Sequence, residues 1–205
     1  LGLLVGPLWI GAFGWRAWWL VLGALSAAMA LALWRGVAEP PAPTSSSSAP
    51  AQGVIARLQR TLGAVGPWLV AGSFALYSSQ WLAVIGFLPV IYASAGVGAA
   101  TTGVLTAVAA AVNMVGNLSA GRLLQHGVAP QRLLAIGFVA MGLAAAAAFS
   151  GAGSAGLPPA ARYLAVLAFS SLGGMIPATL FASAMRVAPG EDTVSTTVGW
   201  MQQLS

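Results

Sequence analysis

The residues able to do chemistry are few and uncharged. Tyr77, Gln80 and Trp81 follow one another at i, i+3 and i+4 inside a long apolar run, a spacing that places them on one helical face, with Ser73 and Val84 extending it. A glutamine amide both donates and accepts hydrogen bonds, and the two aromatic rings add π faces with polar tips. Asn113 and Asn117 stand at i, i+4, with Thr106 earlier on the same face. Gln202 and Gln203 sit one or two turns into a further apolar run. Such a set suits hydrogen bonding and aromatic contact with a small polar molecule. Each residue also has a plainer reading as helix packing, since an asparagine bridge between helices contributes roughly 1 kcal/mol. That bridging role is the expected one for Asn117; for Asn113 and the Tyr77 face both readings stay open.

Covalent chemistry is excluded by what is missing. The chain has no cysteine, one histidine and three acidic residues. The histidine, His126, lies in a basic loop, and Glu39, Glu191 and Asp192 lie in polar segments. Hydrolysis needs a base, a nucleophile pair or metal ligands, and none is grouped here, so we expect no enzyme, no catalytic residue, no metal and no cofactor. Gly151-Ala152-Gly153-Ser154-Ala155-Gly156 matches G-x-G-x-x-G. That motif binds nucleotides only between a buried strand and a helix, and here it joins two apolar runs. The net charge of +5 does not indicate nucleic acid, because all eight basic residues are arginines scattered along the chain.

The elements that hold these residues follow from composition. Of 205 residues, 59% are hydrophobic and 5% charged, against about 25% charged in soluble domains. The fold class is therefore all-α, a polytopic helical membrane protein. Leu1 to Phe13 reads as the second half of a span, ended by Gly14-Trp15-Arg16, and Ala17 to Trp34 as a full one flanked by tryptophans. Residues 36–66 hold Pro40-Pro41-Ala42-Pro43 and Ser45 to Ser48, the composition of a flexible linker. Within it, Val54 to Leu62 has the pattern of a short amphipathic surface helix, or of a solvated loop with two snorkelling arginines. No charge occurs from Thr61 to Gly121, which suits two spans, 67–92 and 99–120, parted near Ser94 to Gly98. Further spans are expected over 133–150 and over 162–187, the latter interrupted at Gly173-Gly174 and Pro177, and another begins at Thr193. That makes about seven segments, the first and last incomplete, in a chain we read as a piece of a longer protein.

Orientation follows from the arginines. Loops 36–66, 121–132 and 187–192, with the residues bordering them, hold Arg35, Arg57, Arg60, Arg122, Arg132 and Arg186; the opposite side holds Arg16 and Arg162. Positive charge favours the cytoplasmic side, so these three loops are expected there.

Three motifs in order resemble the major facilitator superfamily of transporters. Gly2-x-x-x-Gly6-Pro7-x-x-Ile10-Gly11 is similar to the glycine-proline signature of that family's fifth helix, with Ile10 where a second glycine is usual. Gly14-Trp15-Arg16 and the long polar linker follow as they do around the family's sixth helix. Gly116-Asn117-Leu118-Ser119-Ala120-Gly121-Arg122 resembles the loop motif between helices eight and nine, with Ala120 in the place of its acidic residue. The resemblance covers the chain from helix five to the start of helix eleven. It implies residues 1–35 as the end of an N-terminal six-helix bundle, 36–66 as the cytoplasmic linker and 67–205 as an incomplete C-terminal bundle. The run from Gln80-Trp81 to Arg122 looks more particularly like bacterial relatives of cyanate permeases.

The resemblance implies a multi-pass protein of the inner membrane that moves a small solute by alternating access. Its partners would be that solute, the lipid bilayer and the N-terminal helices of the same protein, with no nucleic acid. Tyr77, Gln80, Trp81, Asn113 and Gln202 are the expected solute-binding residues. Gly2, Gly6, Pro7, Gly11, Gly116, Gly121 and Arg122 are the structural motif residues. With no titratable group deep in any span, whatever drives transport is expected outside these residues. The alternative is a non-transporting membrane bundle, such as a receptor or assembly subunit.

Overall fold

The computed structural model describes residues 2–36, 53–151 and 156–205. The Pro/Ser stretch of the linker and most of the G-x-G-x-x-G segment lie outside the described residues. Five described stretches are long and apolar enough to cross a membrane: Trp9–Gly36, Val65–Ser94, Ala99–Gln125, Pro130–Phe149 and Pro159–Val187. Regular structure is helical throughout the described residues, as an all-α membrane protein requires when lipid satisfies no backbone group. The chain divides into two compact units, Leu1–Ala51 and Gln52–Ser205.

The first unit is helix α1 (Gly2–Gly36), which breaks at Gly14 with φ 82° and ψ 160°. That conformation is open almost only to glycine, so the sequence break at Gly14-Trp15-Arg16 is realised as a sharp corner. The two arms meet beside it. The Trp18 indole lies against Gly6, where an added Cβ would be 3.6 Å away, and the Trp9 and Trp18 rings are 6.2 Å apart. Gly2, Pro7 and Gly11 lie in the first arm.

The second unit opens with α2 (Val54–Gly63), the helical alternative for the linker's end, and α3 (Val65–Ser94) follows after the single residue Ala64. The span expected from 67 therefore begins two residues earlier. The next span is two helices, α4 (Ala99–Ala111) and α5 (Asn113–Gln125), parted at Val112. Then come α6 (Pro130–Phe149), α7 (Pro159–Gly173) and α8 (Met175–Val187), a short 3-10 turn at Glu191–Thr193, and α9 (Val194–Gln203). The interruption expected at Gly173-Gly174 separates α7 from α8. It leaves Pro177 in the first turn of α8, where its missing N–H has no intrahelical role.

Packing within this unit centres on Val70, Ala71, Tyr77, Met141, Phe169, Ile176, Leu180 and Met201, drawn from α3, α6, α7, α8 and α9. Backbones approach closely where residues are small, as expected when lipid tails supply no hydrophobic drive between helices. At Gly116 an added Cβ would run into the Ser171 carbonyl, and at Gly174 into that of Asn113. The two broken spans thus cross at their breaks, backbone on backbone.

Candidate functional site

Side-chain hydrogen bonds converge on that crossing. The Asn113 amide, in the first turn of α5, donates to the Tyr77 hydroxyl of α3 at 3.0 Å and to the Ser170 carbonyl of α7 at 2.9 Å. Its Oδ1 accepts from the Asn117 amide at 3.0 Å. Trp81 reaches the same place from α3, its indole N–H donating to the Ser170 hydroxyl at 3.2 Å. Ser170 serves as the hub through both its hydroxyl and its carbonyl. Its carbonyl lies in the last turn of α7, where it accepts the Gly174 N–H at 3.0 Å; a carbonyl has a second lone pair, and Asn113 occupies it. Ser170 is fully buried, so a polar group here without partners would carry the full desolvation penalty.

The structure brings together three of the expected site residues, Tyr77, Trp81 and Asn113, and sets two apart. Gln80 is exposed in the middle of α3, and Gln202 is exposed near the end of α9. The helical period explains Gln80: i+4 lies close in angle to i, whereas i+3 falls on the other side of it. Tyr77 and Trp81 therefore turn into the bundle, and Gln80 stays on the edge of the packed face. Asn117 differs from its expected role. It bonds within its own helix, to the Asn113 side chain and to the Asn113 carbonyl at 3.3 Å, and Asn113 makes the interhelical bridge. Ser170 was legible in the sequence only as a small residue of a closely packed stretch. No local pattern marks a helical carbonyl whose second lone pair meets an asparagine from another helix.

The motif residues are placed as follows. Gly116 makes the close crossing, Gly121 has open space around it, and Arg122 is exposed near the end of α5. Ala120, in the acidic position of the loop motif, is fully buried and packs with Leu133 and Met175. A carboxylate there would be out of water and facing apolar side chains. The packing thus suits the alanine, and a charge relay through that position has no acid to work with.

At the opposite end of the bundle from α2 lies a cavity of about 600 Å³ between α3, α4, α6 and α7. Leu88, Tyr92, Leu105, Phe149, Arg162 and Tyr163 are among its lining residues. The Tyr163 hydroxyl donates to the Leu105 carbonyl at 3.0 Å, and Arg162 donates to the carbonyls of Leu157 and Gly151, each at 2.9 Å. Among the described residues no group of three His, Cys, Asp or Glu side chains forms a metal site.

The Major Facilitator Superfamily model matches the chain over residues 1–205. The chain belongs to the major facilitator superfamily. It is thus a multi-pass membrane protein of a family of secondary transporters, whose members bind small solutes and sit in a lipid bilayer. No curated protein and no solved structure matches it. In this chain the two interrupted spans are packed together through small residues and a compact polar hub.

Proposed function

We propose that this major facilitator protein moves a small polar solute across the bacterial inner membrane by alternating access, the two bundles rocking about a central site. The observation that carries the proposal is Gln80. An exposed amide halfway along a 30-residue apolar helix is costly against lipid tails, and a polar residue at that depth belongs to a solute pathway. In this reading Gln80 and the free face of Trp81 touch the solute, and Gln202 adds a second amide from α9. Tyr77 and Asn113 complete the wall from behind. Both amide hydrogens of Asn113 and its Oδ1 are engaged, so it holds Tyr77 and the Ser170 break in place and acts on the solute through them.

The arginine distribution supports a cytoplasmic placement of loops 36–66, 121–132 and 187–192. The run from Gln80-Trp81 to Arg122 supports a position near the cyanate permease-like members. Binding and translocation, with no covalent step, fit a polar set without a base or nucleophile. Uptake assays on the whole transporter with Gln80→Ala and Trp81→Ala test the site. We expect KM for the solute to rise at least about tenfold in each, the equivalent of one lost hydrogen bond or stacking contact. Unchanged affinity in both variants would overturn the assignment.

A further inference from the structure

Helix α2 is packed the wrong way round for a water-soluble helix. Its polar side faces the protein. Thr61 is fully buried, Arg57 is half-buried, and Arg60 reaches the turn before α9, where its guanidinium donates to both Asp192 carboxylate oxygens at 3.0 and 3.2 Å and to the Pro189 carbonyl at 3.5 Å. Its apolar side faces away: Val54, Ile55 and Leu58 are 71, 72 and 40% exposed. Val54, Leu58 and Leu62 fall on one helical stripe with Ile55 beside it, and α2 contains no acidic residue.

We propose that this stripe is a bilayer-docking surface, seated at the boundary between lipid headgroups and acyl chains and holding the end of the linker on the membrane. Two observations single out lipid as the occupant. Ala64 alone separates α2 from the membrane-spanning α3, so the stripe lies within a turn of the headgroups. The apolar surface also continues into α3 through Val65, Trp68 and Leu69, 72, 45 and 65% exposed. Trp68 has the form of an interfacial anchor, apolar in body and polar at its tip. Its indole N–H donates to the Leu62 carbonyl at 2.9 Å, tying the two helices at their junction. The Arg60–Asp192 pair then fixes which side of α2 is turned toward the protein, leaving the apolar side for the lipid.

The proposal rests on the family's bilayer placement and is independent of the solute site, because its test does not read transport. The chain contains no cysteine, so single-cysteine variants Ile55→Cys, Leu58→Cys and Gln59→Cys report one position each. Gln59 is exposed and borders the stripe one turn from Ile55, on the side away from Leu58, where its polar side chain reaches water. The protein is placed in nanodiscs of phosphatidylethanolamine and phosphatidylglycerol. Two readouts are taken: the reaction rate with a charged maleimide, and quenching of an attached fluorophore by lipids with nitroxide-labelled acyl chains. Positions 55 and 58 should react about tenfold more slowly than 59, as burial of an aliphatic side chain implies, and should be quenched by the acyl nitroxide, while 59 is not. Equal rates at 55, 58 and 59 would mean a solvated face and overturn the proposal. Slow reaction at 55 and 58 without acyl-chain quenching would mean a protein surface covers the stripe, and would overturn it too.

Discussion

Asn113 is the residue on which three helices agree. It joins α5 to α3 through Tyr77 and to α7 through Ser170, and every hydrogen-bonding group of its side chain is engaged. Asn113→Ala removes these bonds and leaves the Tyr77 hydroxyl without its donor, so stability should fall by about 1–3 kcal/mol. Asn117→Ala removes only bonds within α5 and should lower it by less than about 1 kcal/mol. Denaturant titration in detergent, followed by tryptophan emission, measures both. Equal losses would show that the hub is not the interhelical link described. At this scale the sequence made Tyr77, Trp81 and Asn113 legible, since polar groups inside apolar runs stand out. It did not separate Gln80 from them, because spacing defines a face only to within the width of one. Ser170 stayed unmarked because its partners come from two other helices.

Breaks decide the behaviour of the elements. The spans 99–125 and 159–187 are each interrupted, at Val112 and Gly174, and they cross at those points. A methyl group at Gly116 meets the Ser171 carbonyl, and one at Gly174 meets the Asn113 carbonyl. Backbone yields only if the helices separate, so Gly116→Ala and Gly174→Ala should each cost about 1–3 kcal/mol, the range for overpacking. Gly173→Ala instead meets the Met141 sulfur, at 2.7 Å. A thioether is flexible, so that variant should lose clearly less. Melting temperatures in detergent should rank Gly173→Ala above the other two; the reverse order would contradict the backbone crossing. Span lengths and the corner at Gly14 were readable from composition and glycine chemistry. The break at Val112 was not, since no glycine or proline sits there to announce it.

Across the whole molecule, the described surface carries little charge, and an ion pair links α2 to the loop before α9. Arg60 and Asp192 are 40 and 44% exposed and 3.0 Å apart. Pairs so exposed contribute about 0–1 kcal/mol. Arg60→Ala should therefore leave global unfolding nearly unchanged while speeding amide exchange in α2 several-fold, an effect that high salt should mimic in the unaltered protein. Hydrogen exchange followed by mass spectrometry checks this, and unaltered exchange in α2 would remove the pair from the attachment. The sequence by itself determined the class of molecule, the five long apolar stretches and the family resemblance. Hydropathy is a sum of local transfer energies, and motifs are local spacings. The tertiary structure alone decided that Asn113 bridges while Asn117 does not, that Gln80 stands apart from Tyr77 and Trp81, and that α2 turns its polar side to the protein. Each of these depends on which helix lies opposite and at what register, and that choice is made by packing among residues far apart in the chain.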